Sequence, residues 1–186
     1  MFSVIVIYFK KIQIHSYQEI IDGALNYLKT KVPDVYNRTH NTTYYPLDFK
    51  KLLEYCPKLE SAFDEYSIKC NMAVAYIMYN NTHSTIHIDK FHHDARINIP
   101  LLNCIGTKTI FFSGGEYEIV QNPLTKTNAK RLKSLNGIKV VTQVEIDDTT
   151  VIRVNEPHTV IMKAEQSPRI TLSLGFDKDP VFLLAD

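Results

Sequence analysis

The 186-residue chain has little of what usually places a protein at a glance. Its three cysteines, Cys56, Cys70 and Cys104, are odd in number and form no CxxC pair. That argues against a disulfide framework or a cysteine zinc site and suits a reducing, cytoplasmic compartment. Charge of one sign is missing too: 21 Lys and Arg against 20 Asp and Glu leave a formal +1. General attraction to nucleic acid or to acidic membranes is therefore not expected. Long apolar runs are absent. The N-terminal MFSVIVIYFKK is far too short to span a bilayer, has no basic residues before the apolar run and no small-residue cleavage site after it, and reads as a buried strand. No repeat, low-complexity tract or linker interrupts the chain. At 45% hydrophobic and 22% charged residues, the composition is that of one globular domain over 1–186 with a substantial core.

What is present changes texture near residue 68. Before it, Ser16-Tyr17-Gln18-Glu19 has the form of a capping box, and Ile20, Ile21, Ala24, Leu25 and Leu28 follow at helical spacing, predicting a helix that stops before Pro33. NRTHNTTYYP, residues 37–46, reads as a polar loop. Helical periodicity returns from Leu47 to Tyr66, divided by Pro57 into two short helices. After it come short β-rich runs: IKCNMAVAYIMY, STIHID, ARINIPLL, KTIFFS, YEIV, IKVVTQVEI, TTVIRV, TVIMK and RITLSLGF. Turn residues such as Gly114-Gly115, Asn136-Gly137 and Asp147-Asp148 punctuate them, predicting a sandwich or barrel rather than alternating β-α units. The expected division is a strand and supporting helices over 1–67 and a β core over 68–178.

Residues two apart on a strand share a face. His87 and Asp89 oppose Ile86 and Ile88. Arg96 and Asn98 oppose Ile97, Ile99 and Leu101. Arg169, Thr171 and Ser173 oppose Ile170, Leu172 and Leu174. Such polar faces either meet water, as in many antiparallel sheets, or line one cavity of a small jelly-roll barrel. The chemistry of the residues favours the cavity. A chain with 7 histidines and 11 aspartates carries less than one His-x-Asp by chance, and this one has two. His87-Ile88-Asp89 lies at a strand end, where both side chains point one way. His92-His93-Asp94 lies in a loop, where nothing fixes their directions, so His92 and His93 are expected at a pocket rim or in solvent. His158, stiffened by Pro157, is the best third ligand. Two imidazoles and a carboxylate on one face of a metal form the triad of non-haem Fe(II) oxygenases, although zinc accepts the same ligands. Arg169, eleven residues on, needs an anion if it enters a cavity. A carboxylate gripped by the guanidinium with help from Thr171 satisfies it, as would an ion pair with Glu145 or Glu165.

His87-x-Asp89, then His158, then Arg169-x-Thr171, in that order and spacing, resemble the 2-oxoglutarate/Fe(II)-dependent dioxygenase superfamily. RINIPL and PH followed by PRITLSLGF are similar to small stand-alone members related to aspartyl/asparaginyl β-hydroxylases. The hydroxylases proper lack the metal carboxylate that Asp89 would supply, so their substrate does not transfer. The resemblance implies a mainly β protein with flanking N-terminal helices: a double-stranded β-helix of jelly-roll, cupin-like form. It implies Fe(II) on His87, Asp89 and His158, and 2-oxoglutarate held through its distal carboxylate by Arg169 with Thr171. O2 would be the second cosubstrate, and succinate and CO2 would leave as the prime substrate is hydroxylated. Asn98 and Tyr76 are expected beside the cosubstrate. Competing readings are a cupin-like metalloenzyme that does not use 2-oxoglutarate and a non-catalytic binding module on the same fold. The prime substrate stays open among protein side chains, free amino acids and nucleotides. Arg96 is a candidate contact for a substrate carboxylate. The segment 122–139, with Lys126, Lys130, Arg131, Lys133 and Lys139, is expected between strands, either as a solvated face or as a lid meeting an anionic substrate.

Overall fold

A computed structural model describes residues 6–36, 43–79, 84–89, 93–121, 128–162 and 167–185. Two six-stranded antiparallel sheets face each other. One runs β1 (Phe9–Lys11), β10 (Thr150–Arg153), β5 (Ala95–Leu102), β12 (Arg169–Phe176), β3 (Cys70–Met78), β2 (Thr43–Pro46). The other runs β7 (Glu116–Gln121), β8 (Asn128–Ser134), β4 (His87–Asp89), β11 (His158–Ile161), β6 (Lys108–Ser113), β9 (Lys139–Val144). We call these the major and minor sheets.

The apolar faces predicted from alternation cover the helices. Ile97, Ile99, Ile170, Leu172, Leu174, Ala73, Ala75 and Ile77 form one core with Ile20, Leu28, Leu52, Leu59 and Phe63 of the helical layer. Each such aliphatic side chain, fully buried, contributes about 1.5–3 kcal/mol. The opposite face of the major sheet, carrying Arg96, Asn98, Arg169, Thr171 and Ser173, is therefore turned toward the minor sheet. All five are buried.

Helix α1 (Tyr17–Lys31) buries Ile20, Ala24, Tyr27 and Leu28 and ends before Pro33, as its spacing predicts. The capping box does not form: Ser16 adopts φ 56° and its hydroxyl makes no capping bond. Helix α2 (Phe49–Tyr55) is instead capped properly, with Asp48 accepting from the Lys51 amide at 3.3 Å. Beyond Pro57 the chain continues as short 3₁₀ turns, Pro57–Glu60 and Asp64–Tyr66. The two helices touch at Gly23, where a Cβ would lie 2.3 Å from the Tyr55 carbonyl oxygen and 2.7 Å from Cys56 Sγ. Only glycine permits that approach. No helix among the described residues is long and apolar enough to cross a membrane.

Two expectations need correction. The tail of the supposed loop 37–46 is β2, paired with β3 from Thr43 opposite Ile77 to Pro46 opposite Val74; residues 37–42 lie outside the described residues. The segment 122–139 is not simply a connection between strands. Residues 128–134 are β8, pairing with β7 on one side and β4 on the other, and Lys139 opens β9. The polar residues of NAKRLKS masked a strand whose lysines and arginine alternate across a sheet with exposed surface. Lys126 lies outside the described residues.

Candidate active site

The three candidate metal ligands meet because two strands pair. In the minor sheet His158 stands directly opposite His87, which places such Cβ atoms about 5 Å apart on one face. Ser84 staples this junction: its amide donates to the Val160 carbonyl at 3.1 Å, the Val160 amide donates to Ser84 Oγ at 2.8 Å, and the Thr159 hydroxyl donates to the Ser84 carbonyl. The Asp89 amide donates to the Val154 carbonyl at 2.9 Å, fixing the far end of β4. The imidazole rings lie 4.5 Å apart, tilted by 49°. His87 Nε2 is 3.5 Å from Asp89 Oδ1. One ligand atom from each of His87, Asp89 and His158 lies within 4.8 Å of the other two.

The tautomers are set by the backbone. His87 Nδ1 lies 2.7 Å from the Thr85 carbonyl oxygen, and His158 Nδ1 lies 2.8 Å from that of Glu156. A carbonyl only accepts, so both Nδ1 atoms carry the proton and both Nε2 lone pairs are left for another partner. Burial pushes the His158 pKa down to about 4, assisted by His87 and opposed by Asp89 and by the bond to the Glu156 carbonyl. At neutral pH His158 is therefore uncharged and able to act as a ligand. A donor set of two imidazoles and one carboxylate, with second nitrogens anchored, fits a divalent iron-type ion.

One step deeper, Val160 is two residues beyond His158 on the same face, about 7 Å along the strand. It packs with Met162, Met78 and the partly buried Tyr76. Met78 is the register partner of Arg169. Arg169 is 1% exposed, donates from Nε to Thr107 Oγ1 at 3.0 Å, and has no hydrogen-bond partner for Nη1 among the described residues. The ion pair with Glu145 that the sequence left open is not present: Glu145 Oε1 accepts from the Gly106 amide at 2.6 Å, and no ion pair within the described residues includes Arg169. Glu165 lies outside the described residues. A buried guanidinium with an idle donor is costly unless an anion arrives, so this corner fits a carboxylate ligand.

The remaining candidates fall on the same face. Thr171 pairs in register with Tyr76, and its hydroxyl lies 3.6 Å from Cys104 Sγ. Asn98 sits between Thr150 and Ser173, and its Oδ1 has no partner among the described residues. Arg96 is buried, its Nη1 2.6 Å from where a Cβ on Gly175 would stand. Sequence reasoning missed Tyr44. It lies opposite Tyr76, with ring centroids 6.3 Å apart, and burial raises its phenol above the usual 10 while Arg96 opposes that and Asp89 adds to it. The only available signal was a pair of tyrosines before Pro46. It also missed Thr107, which holds Arg169, and Phe111, whose ring lies 6.0 Å from that of His158. His93 is half-buried and Asp94 exposed, while His92 lies outside the described residues.

The two facing sheets and their strand order define a double-stranded β-helix, and comparison with solved structures shows the same fold. HygX from Streptomyces hygroscopicus, in its structure with nickel and 2-oxoglutarate bound, aligns over 90% of this chain and 81% of its own, with a TM-score of 0.54 at 11% identity. The prolyl hydroxylase from Trichoplax adhaerens, in complex with a hypoxia inducible factor oxygen degradation domain peptide fragment, aligns over 97% of this chain and 88% of its own. Its TM-score is 0.50 at 12% identity. No protein-family model and no curated protein matches the chain.

Proposed function

We propose that the chain is a non-haem Fe(II)- and 2-oxoglutarate-dependent oxygenase, which hydroxylates a prime substrate and releases succinate and CO2. One observation carries this reading. Two imidazoles and a carboxylate gather their ligand atoms within 4.8 Å on the minor sheet, and the inward face of the major sheet carries a buried arginine whose Nη1 has no partner among the described residues. The 2-oxoglutarate and nickel in HygX, a chain of the same fold, support it. A kinship with small proteins related to aspartyl/asparaginyl β-hydroxylases rests on the strand sequences alone. The three free thiols suit a reducing compartment. On this reading residues 68–178 hold the catalytic core and 1–67 support it.

His87 Nε2, His158 Nε2 and the Asp89 carboxylate would hold the iron. The Arg169 guanidinium, with the Thr171 hydroxyl beside it, would hold the distal carboxylate of the cosubstrate about one dipeptide repeat deeper. When bound, iron and 2-oxoglutarate supply the oxygen-activating chemistry. The chain supplies geometry. The carbonyls of Thr85 and Glu156 anchor both Nδ1 atoms and leave both Nε2 atoms for the ion, and the Thr107 hydroxyl anchors Arg169 through Nε, leaving the outer nitrogens for the carboxylate. Met78, Val160 and Met162 close the deep end against water, which strengthens the guanidinium–carboxylate attraction. Asn98 and Tyr76 would flank the cosubstrate, the first with an idle acceptor and the second with an aromatic wall.

The test is Fe(II)-dependent conversion of 2-oxoglutarate to succinate in protein reconstituted under nitrogen and then exposed to air. Asp89→Ala and His158→Ala should abolish it while circular dichroism stays that of the parent. Parent-like turnover in either variant removes that residue from the mechanism.

A further inference from the structure

We propose that the prime substrate carries an anionic group, a carboxylate or a phosphate, and that Arg131 of β8 and Arg96 of β5 bind it from opposite sheets beside the metal. This inference rests on the oxygenase reading and narrows its substrate class.

The placement of Arg131 follows from register. A single row crosses the minor sheet: Glu118 stands opposite Arg131, Arg131 opposite His87, His87 opposite His158, and His158 opposite Phe111. Residues directly opposite on antiparallel strands share a face with Cβ atoms about 5 Å apart. Arg131 therefore emerges next to a metal-ligating imidazole and on the ligand side of the sheet. It is exposed, and it makes no hydrogen bond or ion pair among the described residues. Glu118, the acid in this row, is Arg131's other neighbour, on the side away from the metal, and no ion pair joins them within the described residues.

Arg96 approaches from the other sheet. It is the second residue of β5, immediately across from Ile152. Ile152 packs with Phe111, whose ring is 6.0 Å from that of His158. Arg96 is only 4% exposed, and its Nη1 lies close against Gly175, where a Cβ would stand 2.6 Å away. Its electrostatic influence reaches Tyr44, which also senses Asp89. One arginine at the rim and one buried, on facing sheets, bracket the approach to the triad. Arg169 does not compete for the same anion, because it sits at the closed end beside Met78 and Thr107, where the cosubstrate carboxylate would occupy it.

A charged planar fork is the group of choice for carboxylates and phosphates. The pair is therefore built for an anion close enough to the metal to present a neighbouring carbon for oxidation.

The experiment uses full-length protein loaded with Mn(II) and saturated with 2-oxoglutarate under nitrogen, loading being confirmed first by calorimetry. Inorganic phosphate and acetate are the probes. Paramagnetic relaxation of phosphate ³¹P and of the acetate methyl protons is followed against probe concentration, with free Mn(II) as the blank. Saturable relaxation is expected for at least one probe, and which one responds assigns the anion as phosphate or carboxylate. Arg131→Gln should weaken that probe about tenfold or more and Arg96→Lys should weaken it too, with Mn(II) and 2-oxoglutarate affinities unchanged. Absence of saturable relaxation by either probe overturns the proposal. So does unchanged probe affinity in Arg131→Gln, which is a surface substitution that leaves the core intact. Failure of Mn(II) or 2-oxoglutarate to bind at the calorimetric step instead refutes the oxygenase reading itself.

Discussion

Replacing Arg169 with methionine should move two properties in opposite directions. The guanidinium is 1% exposed, spends Nε on Thr107 and leaves Nη1 without a partner among the described residues. Methionine fills similar length without charge. The lost Thr107 bond costs about 1 kcal/mol, and Thr107 is not orphaned, because its hydroxyl still donates to the Cys104 carbonyl at 2.6 Å. Relief of a poorly partnered buried charge offsets this by about 1–4 kcal/mol. The net expectation is a melting temperature equal to the parent's or a few degrees higher. Cosubstrate binding should collapse. Two charge-assisted bonds of roughly 1.5–3 kcal/mol each amount to about 3–6 kcal/mol, or a loss of about 10²–10⁴-fold at 1.4 kcal/mol per decade. Calorimetric titration of 2-oxoglutarate into the Mn(II) form under nitrogen measures the loss, and thermal unfolding of the metal-free form measures the stability. Affinity within about threefold of the parent would remove Arg169 from the cosubstrate site. A drop of many degrees in melting temperature would show the guanidinium to be a structural tie instead.

Three further outcomes follow from single contacts. His158 titrates near 4 in the folded, metal-free chain and near 6.5 when unfolded. Below 6.5 the unfolded state therefore takes up a proton that the folded state refuses, and stability falls as pH drops from 6.5 toward 4, by up to about 3 kcal/mol. Denaturant midpoints across that window should show this decline, reduced in His158→Gln; identical profiles for the two would refute it. Gly23→Ala should destabilise by about 1–3 kcal/mol although alanine is the better helix former, because its methyl would meet the Tyr55 carbonyl and Cys56 Sγ. A urea midpoint at or above the parent's would contradict that contact. Cys56, 1% exposed and with its thiol pushed up to about 12 by burial, should resist a disulfide exchange reagent at pH 8 until the protein unfolds. Labelling of Cys56 at the rate of a free thiol, located by peptide mapping, would show that the helical layer opens.

Strands were legible where burial imposed a pattern. Ala95–Leu102 and Arg169–Phe176 each pack one greasy face on the helices and one polar face inward, and the alternation records both. β8 was not legible, because a strand on the open flank of the minor sheet has no core to enforce alternation. Ser16 shows the reverse failure. The capping-box letters are present, yet the residue's left-handed conformation prevents the hydroxyl from reaching the helix amides. At the candidate site, the order and type of His87, Asp89, His158 and Arg169 could be read, since ligand chemistry restricts residue type. The supports could not. Thr107 and Ser84 act through hydrogen bonds to residues distant in sequence, and Phe111 through its cross-strand neighbour, relations visible only once the fold is known.

The two imidazoles owe their orientation to carbonyls only two residues upstream, each within its own turn of chain. Such anchoring is local to each strand and independent of an ion. Unlike a zinc finger, whose peptide collapses only around its metal, a barrel with this built-in anchoring should, on the proposed function, be emptied by a chelator and refilled without unfolding. The identity of a divalent ion held there would then be decided by supply and exchange, not at the moment of folding.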